Sequence, residues 1–242
     1  MSAARLALLL SLAACAPHPV QTVPGQQPAL PVAQPSDAEL AARALLQAPP
    51  SEWGNAMGVA WSAGRDVVTP LVAGLRADPS APGAQAATRL LGLFGGEPAA
   101  SFLREQLTER GPNATESALA LGEAGAVEAA PELRAAAADR LSDPTLRCAC
   151  IATLVRLGHG REVRELVRAV LLAGTPAGET LRVEHGLPQR SRWALERYML
   201  QRALVAASGR DFGFDTDSPW PDLERAAAEV DAWLAASAPR GS

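Results

Sequence analysis

After Gly160 the apolar residues Val163, Leu166, Val167, Val170 and Leu171 fall at i, i+3, i+4, i+7 and i+8, the spacing that gathers side chains on one face of an α-helix. The stretch before it is different. Leu146, Cys150, Leu154 and Leu157 share one side, while Cys148, Ile151 and Val155 share another. A helix that is apolar on two sides is predicted to lie between neighbours. The same passage from an apolar helical pattern through glycine to a second such pattern occurs at WSAG, LFGG, GEAG and LGHG. Gly64, Gly96, Gly125 and Gly160 therefore recur about every thirty residues. Each is predicted to take the left-handed position that ends the preceding helix. Between the first and third copies Pro70 aligns with Pro131 and Asp78 with Asp139. A period of this length predicts stacked helical hairpins and hence an all-α fold.

Helix starts are marked as well. Ser36 with Glu39, and Asn113 with Glu116, have capping-box spacing, and Asp143-Pro144 puts a capping side chain before a first-turn proline. Beyond Gly174 the repeat ends. Thr175 to Pro188 reads as a connection, and Gln189 to Ala207 as one long helix with Trp193, Leu200 and Leu204 on one side and Leu195, Met199 and Ala203 on another. A last helix, Pro221 to Ala235, carries Leu223, Val230 and Leu234 in register and is predicted to close the open end of the stack. Between these two helices Phe212, Phe214 and Trp220 are predicted to be buried. Asp211, Asp215 and Asp217 suit either turn hydrogen bonds or a hard cation, although their spacing is not that of an EF-hand.

The N-terminus follows other rules. The apolar run from Leu6 to Ala14 follows a single arginine, Arg5. It is shorter than the roughly 20 residues a bilayer span needs, and its layout is that of a secretory signal. From Ala16 to Pro35 the chain is proline-rich and carries no acidic or basic side chain, which suits either an extended, semi-rigid tether or plain disorder with no spacer role. The chain thus divides into a signal peptide at 1–14, a cysteine and tether at 15–35, repeats at 36–174 and a C-terminal helical cap at 175–242.

Composition narrows the chemistry. All 22 basic residues are arginine and the net charge is −4, which makes nucleic acid an unsuitable partner for an exported protein. Abundant alanine and leucine with few aromatics favour packed helices over sheets. Cys148 and Cys150 point about 200° apart on a helix and match no zinc spacing, so both are read as small core residues. His18, His159 and His185 form no cluster along the chain. No nucleophile–base pair, phosphate loop or cofactor motif is visible, and no catalytic, metal or cofactor residue is assigned.

Three resemblances add to this reading. Leu12-Ala13-Ala14-Cys15 resembles the bacterial lipoprotein lipobox. The resemblance implies that Cys15 is the site of lipid attachment and that the mature chain begins there, anchored in the cell envelope. Ala rather than Asp at position 16 points to the outer membrane, facing the periplasm. The hairpins from Ser51 to Gly174 resemble the HEAT-like repeats also seen in phycobilin lyases. This implies an α-solenoid, used mostly for protein–protein contact, whose second helices line the concave side. The di-iron hydroxylases of that family carry paired His-Glu motifs, and these are missing here. Ser208 to Asp215, with Trp220 and Trp233, resembles a tail of some bacterial HEAT-repeat proteins, TG-x-DFG-x-D…W. It is not the kinase DFG, since no glycine-rich loop, lysine or HRD loop accompanies it.

The expected function is that of a membrane-anchored, non-catalytic interaction scaffold for an unidentified envelope protein or peptide. The alternative is an enzyme or enzyme-accessory subunit on the same scaffold. Arg76, Arg104, Arg134 and Arg164 or Arg168 recur near the repeat interval on the second helices and are the expected partner-binding residues. The other reading of each is a surface charge neutralised by a nearby carboxylate.

Overall fold

The computed structural model describes residues 34–175, 178, 180 and 193–237. The predicted signal peptide, Cys15 and all but the last two residues of the tether lie outside these, as does most of the 175–188 connection. The described residues from Pro35 onward belong to one compact unit. They are helical, with no strand among them, which agrees with the all-α expectation.

Eleven α-helices follow in order among the described residues: α1 (Asp37–Gln47), α2 (Trp53–Ser62), α3 (Val68–Ala77), α4 (Ala84–Phe94), α5 (Glu97–Thr108), α6 (Ala114–Ala124), α7 (Ala130–Ala138), α8 (Pro144–Arg156), α9 (Arg164–Leu171), α10 (Trp193–Ser208) and α11 (Trp220–Ala236). Short 3-10 turns lead into α2, α3, α7 and α9. The helices fall into two rows. In the first, α2, α4, α6, α8 and α10 lie side by side; in the second, α3, α5, α7, α9 and α11 follow one another. Helix α1 packs on α2, α3 and α4 at one end.

The start and stop signals act largely as the sequence predicts. Ser36 and Glu39 form the full capping box, and the Asp143 carboxylate accepts from the Thr145 and Leu146 amides. Asp78 and Asp139 each cap a helix C-terminus and fold back on an amide two residues on, so their alignment reflects one repeated turn. Asn113 differs. Its side chain makes no cap; Nδ2 instead donates to the Pro79 carbonyl at 2.7 Å, tying two successive connections together. In the second glycine turn Gly95 caps α4, and Gly96, with φ 87° and ψ 161°, is not left-handed but opens α5; in the fourth the positive-φ residue is Gly158, φ 92°, rather than Gly160. Gly160 serves close packing: a Cβ there would meet a Leu234 methyl at 2.4 Å.

The phase of the hairpins also differs from the predicted one. Helices joined by a glycine turn touch little, whereas α5 packs broadly on α6 and α7 on α8. The packed hairpins α5–α6 and α7–α8 therefore span longer connections, and both kinds of connection carry the chain from one row to the other.

The core runs the length of the stack. Leu45, Leu71, Leu75, Leu91, Leu103, Leu121, Leu133 and Leu154 are all essentially inaccessible, and full burial of such a side chain is worth about 1.5–3 kcal/mol. The two-sided pattern of α8 is explained by α6, α7 and α10 packing around it, with Cys148, Cys150, Ile151 and Val155 all buried. Small residues let the first row close up. A Cβ on Gly92 of α4 would lie 2.7 Å from the Ala120 backbone of α6, and one on Gly122 would lie 3.1 Å from Thr153 of α8. Thr153 also donates to the Ala118 carbonyl at 2.8 Å, a buried bond between the two helices.

Candidate functional site

The predicted arginines do form a ladder, and it is paired internally. Arg76 of α3 binds Glu105 of α5, and Arg104 Nε donates to Glu132 of α7 at 3.0 Å. Arg134 Nη2 donates to Glu162, just before α9, at 3.0 Å, and Arg164 Nη2 donates to Asp231 of α11 at 2.7 Å. Arg110 and Asp139 add a parallel rung. Each rung joins one member of the second row to the next, across gaps that little direct packing fills. Arg168 is exposed and acts on Asp231 through its charge.

The carboxylates respond accordingly. Hydrogen bonds from Arg134 and Arg164 hold Glu162 and Asp231 below their ordinary values. Burial pushes Glu132 up, but the Arg104 guanidinium outweighs it and leaves Glu132 lowered too. A carboxylate depressed in the folded state stabilises at neutral pH, and that stabilisation is lost as pH falls through the depressed value. The melting temperature is therefore expected to drop below about pH 4. Arg104→Met should flatten that drop, as checked by thermal melts at low salt. Arg104→Met leaves the part-buried Glu132 carboxylate without its partner, so its cost at neutral pH is expected to exceed the roughly 1 kcal/mol or less of an exposed pair.

The C-terminal loop is held by α10. Arg197 Nη1 donates to the Thr216 carbonyl at 3.2 Å, Arg197 also binds the Ala173 carbonyl, and Gln201 Nε2 donates to the Phe214 carbonyl at 2.7 Å. Sequence patterning does not mark these two side chains as a pair, because α10 also carries Glu196 and Arg202. Phe212 and Phe214 are buried, but Trp220 is 44 % exposed. It opens α11, and its indole N–H donates to Glu224 one turn on. Asp211 accepts from the Gly213 amide, and Asp215 accepts from the Asp217 amide and the Ser218 hydroxyl. Among the described residues no group of His, Cys, Asp or Glu is arranged to hold a metal. Burial pushes the Cys150 thiol up to about 12, so it stays a neutral core group.

A concavity lies over the first row, on different helices from the arginine ladder. It is an open groove of about 660 Å³ crossing α2, α4, α6, α8 and α10. Trp53 stands at one end, oriented by an indole hydrogen bond to the Ala48 carbonyl at 3.0 Å. Tyr198 stands at the other, with Arg202 5.9 Å above its ring. Leu119, Ala120, Ala152 and Met199 supply apolar surface between them. The central helix α6 adds Glu116 and Glu123. Burial raises Glu116 above its ordinary value. Glu123 faces Arg156 with one oxygen at 4.0 Å, while its other oxygen is sealed from solvent without a hydrogen bond. A trough with aromatic ends, an apolar floor and a few fixed charges is suited to holding a side-chain-bearing segment. None of its residues is legible as a site in the sequence, because they are spread over five helices. No protein-family model matches the chain, and neither a curated protein nor a solved structure matches it.

Proposed function

We propose that the protein is a lipid-anchored, non-catalytic binding module of a bacterial cell envelope, with the groove over the first row as its binding face. The observation that carries this reading is the groove itself, open along its length and built from five successive first-row helices. Two rows of helices repeating about every thirty residues support reading the stack as a HEAT-like α-solenoid. The resemblance puts the second helix of each hairpin on the concave side; with the hairpins offset by one helix, those are the first-row helices α6 and α8 and not the arginine-bearing ones, so the charge ladder is assigned to the outer side. The Leu12-Ala13-Ala14-Cys15 pattern supports anchoring through Cys15, and no helix among the described residues is long and apolar enough to cross a membrane. The proline-rich segment gives the module reach from an outer-membrane anchor toward periplasmic partners.

Anchoring is tested by replacing Cys15 with serine, which is expected to move the protein from the detergent phase to the aqueous phase on phase separation. Equal partitioning of the two forms would rule out the lipid. The binding face is tested by placing a photocrosslinking side chain at Tyr198 in the groove or at Arg168, which is exposed on α9 of the second row and does not line the groove. One discrete envelope adduct from position 198, absent from 168, is the expected result. Turnover of a substrate by purified protein would overturn the non-catalytic reading.

A further inference from the structure

The charges around the groove are not equally satisfied. Asp143 spends its carboxylate on the first amides of α8. Arg89 and Arg202 are exposed, so water completes their hydrogen bonding at little cost. Arg156 lies beside Glu123. What remains is on α6. Among the described residues, no side chain donates a hydrogen bond to the half-buried Glu116 carboxylate and no cation offsets its desolvation. Two turns on, about 10 Å along the same helix, the inner oxygen of Glu123 lacks a donor as well. A partly desolvated carboxylate has already lost part of its hydration, so it gains more from an incoming cation than a solvated arginine gains from an incoming anion.

Resting on the groove as the binding face, we propose that its occupant is a segment of a partner polypeptide that presents a lysine or arginine side chain to Glu116, with apolar neighbours lying on Leu119 and Met199. The basic head supplies the cation that Glu116 lacks, and its methylene stem covers the apolar floor. Arg89 and Arg202 on the flanking walls disfavour a polybasic stretch. The expected recognition element is therefore one basic residue among apolar ones.

The test uses the full chain in detergent micelles and a fluorescein-labelled peptide, acetyl-Leu-Ala-Arg-Ala-Leu, followed by anisotropy. A second peptide carries citrulline, which keeps the shape of arginine without its charge, and a third carries glutamate. The arginine peptide is expected to bind wild type at least tenfold more tightly than the citrulline peptide. Glu116→Gln should abolish that difference while leaving the protein folded, with a melting temperature no lower than that of wild type, because it removes a partly desolvated charge. Leu119→Arg, which fills and recharges the floor, should abolish binding of both. Equal binding of the arginine and citrulline peptides, still lost in Leu119→Arg, would refute the basic occupant and leave the groove standing. Tighter binding of the glutamate peptide would reverse the assigned charge. Absence of binding by all three, or binding indifferent to Leu119→Arg, would remove the groove reading and this inference with it.

Discussion

Gly92→Val is expected to destabilise the protein by about 3 kcal/mol, the upper part of the range for forcing extra methyl groups into a packed interior. The cause lies in the tightest seam of the first row. A Cβ at Gly92 would sit 2.7 Å from the Ala120 Cα, Cβ and carbonyl oxygen at once. Two of those are backbone atoms, which cannot swing aside as the tip of a long side chain can. Helices α4 and α6 would have to separate, and α6 is also locked to α8 through the Thr153 hydroxyl, so the displacement has no free end. Gly58 of α2 is the control. A Cβ there meets nothing within 4 Å, and Gly58→Ala should stabilise by about 0.5–1 kcal/mol through helix propensity alone. Urea denaturation of the two variants should move the midpoint in opposite directions. A shared direction would mean that the close approach of α4 and α6 is not a constraint.

Phe212→Ala is the other large effect expected, about 3–5 kcal/mol. The ring is 3 % exposed, lies 5.8 Å from Trp233 at a tilted angle, and carries the Arg210 guanidinium 5.2 Å from its centre. Its removal takes away the plug between α10 and α11 and leaves a cavity that the tethered loop cannot collapse to fill. In a chain of this size each kcal/mol moves the melting temperature by about 2–4 °C, so a drop of at least about 6 °C is expected. Trp220→Ala should leave the temperature nearly unchanged, because much of that side chain is already in water. Added calcium should not move it either, since Asp211 and Asp215 already accept hydrogen bonds from their own loop. A calcium-dependent rise would show that the loop reorganises around a cation.

The exposure of Trp220 illustrates what a sequence encodes well and what it does not. Periodicity reports which side of a helix is apolar, and it identifies the two-sided burial of α8 residue by residue. An isolated aromatic at a helix start has no such neighbours to define its side, and Trp220 turns outward. The glycine spacing predicts helices and turns, yet a repeating pattern has no intrinsic beginning. Grouping by the glycine turns therefore offsets the hairpins by one helix from the pairs that pack. The ladder is half legible. Arg76, Arg104 and Arg134 stand out by their interval, and so do Glu105, Glu132 and Glu162, at offsets of 28 or 29 from those same arginines. The information for internal rungs is thus present in the spacing of the two series, although neither series carries it alone. Nothing comparable exists for Glu116 and Arg202, whose proximity to one groove depends on how α6, α8 and α10 lie against each other.

The two rows are joined by different forces, and this makes the stack respond unequally to its surroundings. Carbon surface and small residues hold the first row, and dissolved ions barely affect such contacts. Exposed charge pairs span the second, and ions screen them over about 10 Å at 0.1 M salt. Raising the ionic strength therefore softens one side while leaving the other stiff, so the protein yields like a folding fan, splaying along its outer edge while its ribs stay closed at the pivot. In a compartment whose salt follows the outside medium, the spread of the outer edge would vary with the water around it, while the grip on anything held near the pivot would not.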